Sequence, residues 1–83
     1  MKAITTRYCG PTDRRGSRYI ATDSDKNRVI VSSDSALNSE QNHQRAAVAL
    51  VKKLRWSGAL QGGHTKDGMA WTWIDDSYLV TID

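Results

Sequence analysis

The stretch GPTDRRGSR, residues 10–18, separates two segments in which β-branched or aromatic residues recur at alternate positions. Ala3 to Tyr8 precedes it and Ser17 to Thr22 overlaps its end, and a two-residue period of this kind is typical of strands. Glycine and proline at the start of the stretch, with a second glycine near its end, favour a turn. The sequence therefore predicts a β-hairpin whose loop is rich in arginine.

The same pattern continues for one more strand. The polar run Asp23 to Asn27 predicts a turn, and the Val- and Ile-rich segment Arg28 to Val31 predicts a third short strand. Because the connections are short, we expect the three strands to form an antiparallel meander.

One amphipathic helix is predicted over Asn38 to Trp56. Either Asn38 or Ser39 can cap its start, and Gln41, three residues after Asn38, approximates a capping box. Apolar residues then recur at helical spacing and cations occupy the last turn. We expect Gly58 to take the left-handed position that ends the helix.

The remaining segments predict a C-terminal hairpin. Ala59 to Thr65 indicates an irregular strand, Lys66 to Gly68 a turn, and Met69 to Ile74 a clear strand. Tyr78 to Ile82 is either a further strand or a loose tail. The predicted fold is therefore α+β: one domain, residues 1–83, in which a three-strand meander and the C-terminal hairpin form an antiparallel sheet with the helix on one face.

Composition limits the class of protein. Of the 83 residues, 39% are apolar and 25% are charged, which fits a globular domain. The single Cys9 excludes an internal disulfide, and the longest apolar run, Ala46 to Val51, is far too short to span a bilayer. The start, MKAITTRY, has no apolar stretch of signal-peptide length. We therefore expect a cytoplasmic protein without membrane contact.

Basic residues concentrate at the front of the chain. Residues 1–31 hold seven Lys or Arg against three Asp, residues 56–83 hold one Lys against four Asp, and the net charge is +3. Guanidinium groups suit phosphates and carboxylates, so arginines are the candidate binding residues. They are Arg7, Arg14, Arg15, Arg18 and Arg28. The alternative is a solvated hairpin tip that keeps a sheet edge soluble. The stretch lacks the Gly-Lys-Ser/Thr ending of a phosphate-binding P-loop.

The sequence offers less support for aromatic binding residues and for catalytic or metal-binding residues than for the arginines. Trp71 and Trp73 share one face of the last clear strand, where they form either a contact surface for a partner or, as we prefer, part of the core. His43 and His64 lack the spacing of metal ligands, and Cys9 lacks the flanking motif of a nucleophile. We therefore expect no enzyme, no metal site and no cofactor.

Three motifs, YCGPTDRRGSR, NHQRAAVALVKKLRW and QGG, resemble those of small, largely uncharacterised bacterial proteins carried on phages, plasmids and other mobile elements. The resemblance covers residues 1–73 and implies an accessory protein that inhibits a host defence complex, as anti-CRISPR proteins do. The expected partner is then a host protein complex such as a CRISPR effector, bound by a monomer or a homodimer. The alternative is a small basic protein that binds DNA or RNA through its N-terminal hairpin.

Overall fold

The computed structural model contains an antiparallel sheet of five strands with one helix packed on one face. It describes residues 2–74 and 80–82. In chain order the elements are β1 (Ile4–Cys9), β2 (Arg18–Thr22), β3 (Arg28–Ser32), α1 (Ser39–Lys53), β4 (Leu60–His64) and β5 (Gly68–Trp73). The strand order is β3-β2-β1-β5-β4. The predicted α+β fold, with its meander, helix and C-terminal hairpin, is confirmed.

The first strand of the chain, β1, lies at the centre of the sheet, because the C-terminal hairpin packs β5 against the edge of β1 that β2 leaves free. Thr6 pairs with Ala21 of β2 on one side and with Met69 of β5 on the other. A glycine makes this approach possible, since a side chain at Gly68 would collide with the main-chain carbonyl of Thr6. This close contact places β5, and not β4, beside the meander.

The start of α1 is the predicted capping box. The Oδ1 atom of Asn38 accepts a hydrogen bond from the main-chain N–H of Gln41 at 2.8 Å, and the Oε1 atom of Gln41 accepts one from Asn38 at 3.0 Å. Two of the otherwise free N–H groups at the helix start are thereby satisfied.

The end of the helix differs from the prediction. The helix stops at Lys53, and Arg55, not Gly58, takes the left-handed conformation, with φ of 59°. The N–H of Trp56 then bonds to the carbonyl of Val51 at 3.1 Å, which is the bonding pattern of a Schellman motif. The apolar Trp56 packs against the core just after this turn. That contact stabilises Arg55 in the left-handed conformation that was expected of Gly58.

The core lies between α1 and one face of the sheet. Its fully or nearly buried members are Ile4, Tyr19, Ala21, Ala46, Ala47, Leu50, Met69 and Trp71. The strands otherwise begin and end within one or two residues of their predicted limits. Val80 to Ile82 form no strand, and the rest of the predicted Tyr78 to Ile82 segment lies outside the described residues. Within residues 2–74 and 80–82, no helix is long and apolar enough to cross a membrane.

Candidate functional site

Alternation along the strands divides the sheet into a face covered by α1 and a face that α1 leaves open. On β1, Ile4 and Thr6 are buried against the core, whereas Thr5 and Arg7 are exposed. Residues directly opposite each other in antiparallel strands share a face, so the register extends this assignment across the sheet. The open face consists of Thr5, Arg7, Cys9, Arg18, Ile20, Thr22, Arg28, Ile30, Ser32, Gln61, Gly63, Gly68, Ala70 and Thr72.

Three of the five candidate arginines share this open face. Arg18 lies directly opposite Cys9, which places it diagonally next to Arg7. Ser32 of β3 lies opposite Arg18, and Arg28 lies at the other end of the same strand. Four residues separate Arg28 from Ser32, which is about 13 Å along the strand at about 3.3 Å per residue. The three guanidinium groups therefore span the sheet from one end of the meander to the other.

The guanidinium of Arg18 has unused hydrogen-bonding capacity. Its Nη1 atom donates to the carbonyl of Gly10 over a long 3.5 Å. Its Nε atom is buried, and no described residue accepts a hydrogen bond from it. A buried donor without an acceptor costs about 1–3 kcal/mol.

Carboxylates are absent from the described strands, and the two in the turn between β2 and β3 already have partners. Asp23, in the turn between β2 and β3, accepts hydrogen bonds from the side chain of Asn27 at 2.9 Å and from two main-chain N–H groups. The bond from the Asn27 side chain is the largest of the effects that lower the pKa of Asp23. Asp25 pairs with Lys2 at 2.7 Å, and this contact raises the pKa of the lysine. Arg7, Arg18 and Arg28 have no ion-pair partner among the described residues.

Apolar side chains lie between the arginines. Ile20 is only 4% exposed although it belongs to the open face, and the register places it between Arg7 and Ile30. Ile30 remains 40% exposed. Long side chains such as arginine cover apolar neighbours with their stems while their heads stay in water. The open face is therefore a mixed surface, cationic with an aliphatic centre.

The hairpin loop holds the other two candidates. Thr12 and Arg15 close a tight turn, with a 2.7 Å bond from the N–H of Thr12 to the carbonyl of Arg15. The Thr12 hydroxyl also accepts from the N–H of Arg15 at 3.1 Å. Arg14 and Arg15 are both exposed. Arg18 does not share this loop, because it is the first residue of β2.

Sequence reasoning therefore grouped the arginines differently from the structure. The sequence groups Arg14, Arg15 and Arg18 at a hairpin, whereas the register places Arg18 with Arg7 and Arg28. The signal was present in the two-residue period, which assigns Arg7 to one face of β1 and Arg18 to one face of β2. The period alone does not show which faces of neighbouring strands coincide, and this depends on the strand register.

Trp71 and Trp73 lie on the covered side of the sheet. Trp71 is 8% exposed, and its indole N–H donates to the hydroxyl of Thr6 at 3.1 Å. Trp73 is partly buried, donates to the main-chain carbonyl of Lys2 at 2.9 Å and stacks edge-on against Trp56 at a centroid distance of 6.0 Å. Trp71 therefore belongs to the core, as preferred, and neither ring is part of the open face.

A buried polar cluster beneath α1 was not anticipated. The Nδ1 atom of His43 lies 2.8 Å from the hydroxyl oxygen of Thr6, and its ring packs edge-on against Tyr19. Burial lowers the pKa of His43, and the nearby charge of His64 lowers it further. His64 itself lies at the surface, 3.2 Å from Glu40. The two histidines thus have separate partners, and no three His, Cys, Asp or Glu side chains converge as metal ligands within the described residues.

An apolar groove lies on the covered side of the sheet beyond α1. We call it the tryptophan groove; its volume is about 390 Å³ and its apolar lining includes Val48, Val51, Trp56, Leu60, Trp71 and Trp73. It exists because α1 packs mainly over β1, β2 and β3 and only lightly over β5.

Comparison with protein-family models, curated proteins and solved structures found no match for this chain.

Proposed function

We propose that this chain is a non-enzymatic binding protein whose open face docks on an acidic surface of a host protein complex. The observation that carries this proposal is the set of arginines Arg7, Arg18 and Arg28, which have no carboxylate partner among the described residues. Among the described residues the guanidinium of Arg18 makes one long hydrogen bond, of 3.5 Å, which leaves it with donor capacity for a carboxylate. Arginine is also enriched at the energetic centres of protein interfaces.

The composition of the open face favours a protein partner over single-stranded nucleic acid. Proteins that bind single strands stack bases on aromatic side chains. Here Tyr8, Tyr19, Trp71 and Trp73 all lie in register on the covered side. The open face offers the aliphatic Ile20 and Ile30 instead, which suit a protein interface with an apolar centre and a charged rim.

The choice of target rests on the sequence resemblance to mobile-element proteins. It favours a host defence complex, a CRISPR effector among them, which the protein would inhibit as an accessory factor. Inhibition by DNA mimicry is disfavoured, because a mimic needs a dense acidic surface and the described strands carry no carboxylate.

Direct DNA or RNA binding is the second candidate, and one observation favours it. The exposed Arg14 and Arg15 extend the cationic open face beyond the end of β1. A double-stranded partner needs phosphate contacts and no stacking platform. Such binding would weaken steeply with salt, because each phosphate contact releases counterions.

The test compares two variants of equal charge. The open-face variant carries Arg7→Gln, Arg18→Gln and Arg28→Gln, and the control carries Lys52→Gln, Arg55→Gln and Lys66→Gln, away from that face. Each is expressed in bacteria with an active CRISPR defence, and plating of a targeted phage is measured alongside capture of the defence complex. We expect the wild type and control to restore plating and retain the complex, and the open-face variant to lose both.

Two results would overturn the proposal. One is a wild type that neither restores plating nor retains a defence complex. The other is an open-face variant that performs as well as the control. Salt-sensitive binding of free duplex DNA or RNA that depends on the same three arginines, without capture of a protein, would establish the second candidate instead.

A further inference from the structure

The two edge strands of the sheet, β3 and β4, differ in whether other residues bond to their outward main-chain groups. At the β3 edge, Ser33 bonds to Ser17 and Asp23 to Asn27 through main-chain groups, so by alternation Arg28, Ile30 and Ser32 direct their main-chain groups outward. Two of those outward carbonyls are capped by cations from α1. Lys53 donates to the carbonyl of Arg28 at 2.8 Å, and Arg45 to that of Ser32 at 3.1 Å.

The β4 edge has no such caps. Thr65 bonds to Gly68 and Ile74 to Ala59, so residues 61 and 63 direct their main-chain groups toward β5. Leu60, Gly62 and His64 direct theirs outward, and within residues 2–74 and 80–82 no hydrogen bond reaches them. An uncovered edge of this kind is a template for another strand.

We propose that β4 pairs with β4 of a second copy of this chain, forming a homodimer with a continuous ten-stranded sheet. The outward groups are self-complementary: an antiparallel register centred on Gly62 pairs Leu60 with His64 of the second copy and Gly62 with its own equivalent. All three outward residues of each strand then form hydrogen bonds. The proposal is independent of the partner bound by the open face.

The side chains of β4 permit this pairing. LQGGH carries no lysine, arginine or carboxylate, so self-pairing brings no formal like charges together. At the β3 edge, by contrast, self-pairing would bring Arg45 and Lys53, which cap the carbonyls of Ser32 and Arg28, close to the same two cations of the second copy. The charge distribution therefore selects β4 over β3.

The tryptophan groove supplies apolar area beside the pairing edge. A two-fold axis perpendicular to the sheet keeps both helices on the same side, so the grooves of the two copies meet across the paired β4 strands. Stable interfaces bury about 1,200–2,000 Å² in total, more than strand pairing by itself is suited to supply. Leu60 and the partly buried Trp56 and Trp73 lie where the second copy would extend that contact.

Two of the five residues of β4 are glycines, and an added side chain would meet different surroundings at each. Trp71 lies directly over Gly62, whose added Cβ would collide with the indole ring. Gly63 faces the open side and has no neighbour within 4 Å of an added Cβ. Position 63 therefore accepts a side chain without disturbing the monomer, and in the proposed register it lies opposite Gln61 of the second copy.

The test uses that cross-copy pair. The Glu/Glu variant combines Gln61→Glu with Gly63→Glu, so that residue 61 of one copy and residue 63 of the other are both carboxylates. The Lys/Glu variant combines Gln61→Lys with Gly63→Glu, so that the same two positions carry opposite charges. By light scattering and sedimentation we expect the wild type at twice the 9.3 kDa of one chain. We expect the Glu/Glu variant to raise the dimer Kd roughly 10-fold or more, and the Lys/Glu variant to remain dimeric, from the magnitude of cross-strand charge pairs.

Circular dichroism of both variants establishes that each retains the fold. A monomeric wild type overturns the proposal, as does a Glu/Glu variant that is folded and as dimeric as the Lys/Glu variant. The latter result would place the dimer interface away from β4. Gln61 and Gly63 lie on the open face, so these variants are used to measure only the dimer. The variant with Arg7→Gln, Arg18→Gln and Arg28→Gln leaves β4 unchanged, and we expect it to remain dimeric while losing the target, which separates this proposal from the function proposed above.

Discussion

The Nδ1 atom of His43 lies 2.8 Å from the hydroxyl oxygen of Thr6, so the helix and the central strand are joined by a hydrogen bond inside the core. The same oxygen accepts the indole N–H of Trp71 at 3.1 Å. Thr6 is 3% exposed, which keeps bulk water from substituting for either bond. One hydroxyl therefore connects α1, β1 and β5.

Replacing that hydroxyl tests its contribution to stability. We expect Thr6→Val to lower the free energy of unfolding by about 2–6 kcal/mol, because valine keeps the shape but leaves two buried polar groups unpaired at about 1–3 kcal/mol each. Thr5→Val is the matched control on the open face, where the hydroxyl pairs with that of Thr22 at the surface. Its effect should stay within about 0.5 kcal/mol in urea denaturation. Equal losses in the two variants would contradict the role of the buried hydroxyl.

The lowered pKa of His43 predicts a pH dependence of stability. Burial, and then the charge of His64, lower this pKa below its ordinary value of 6.5. The folded protein therefore binds the proton less readily than the unfolded chain. Stability is fully present above pH 6.5 and is lost as the pH falls below it, by at most about 1.4 kcal/mol per pH unit for one proton.

The measurement is urea denaturation in steps of pH between 7.5 and about 5, a range above the one in which the contribution of Asp23 to stability changes. The pKa of Asp23 is also lowered, but from an ordinary value of 3.8, so its contribution is lost only in more acidic solution. His43→Gln should flatten the slope, and His64→Gln should keep most of it. A slope unchanged by His43→Gln would assign the effect to another group.

The cap of α1 gives a third prediction. Asn38→Ala should lower the free energy of unfolding by about 1 kcal/mol, because both bonds of the capping box depend on the position of Asn38. Ser39→Ala should have little effect, since Ser39 is the first residue inside the helix. Thermal denaturation followed by circular dichroism distinguishes the two. The reverse ranking would make Ser39 the cap, the alternative that the sequence left open.

Local signals predicted the elements of this fold well, because those signals act between residues close in the chain. The capping pair Asn38 and Gln41 and the alternation in β1 are of this kind. The position of Arg55 in the left-handed turn was missed, because the contact of Trp56 with the core outweighs the local preference for glycine. Propensity is a weak guide wherever tertiary packing competes with it.

The candidate site depended on information that local patterns lack. Which strands pair, and in which register, decides that Arg7, Arg18 and Arg28 share a face. A slip of one residue would have moved a strand's whole set of side chains to the other face. The buried hydroxyl of Thr6 was missed for the same reason, since its partners are 37 and 65 residues away in the chain.

The close approach of β1 and β5 is tested at Gly68. We expect Gly68→Ala to lower the free energy of unfolding by roughly 3 kcal/mol, because its Cβ would collide with the main-chain carbonyl of Thr6, which cannot rotate away as a side chain does. Gly16→Ala is the control, since an added Cβ there has no neighbour within 4 Å. Urea denaturation of the two variants measures the difference. If Gly68→Ala were as stable as Gly16→Ala, β5 would not lie against β1 in this register, and the strand order that places the C-terminal hairpin beside β1 would be wrong.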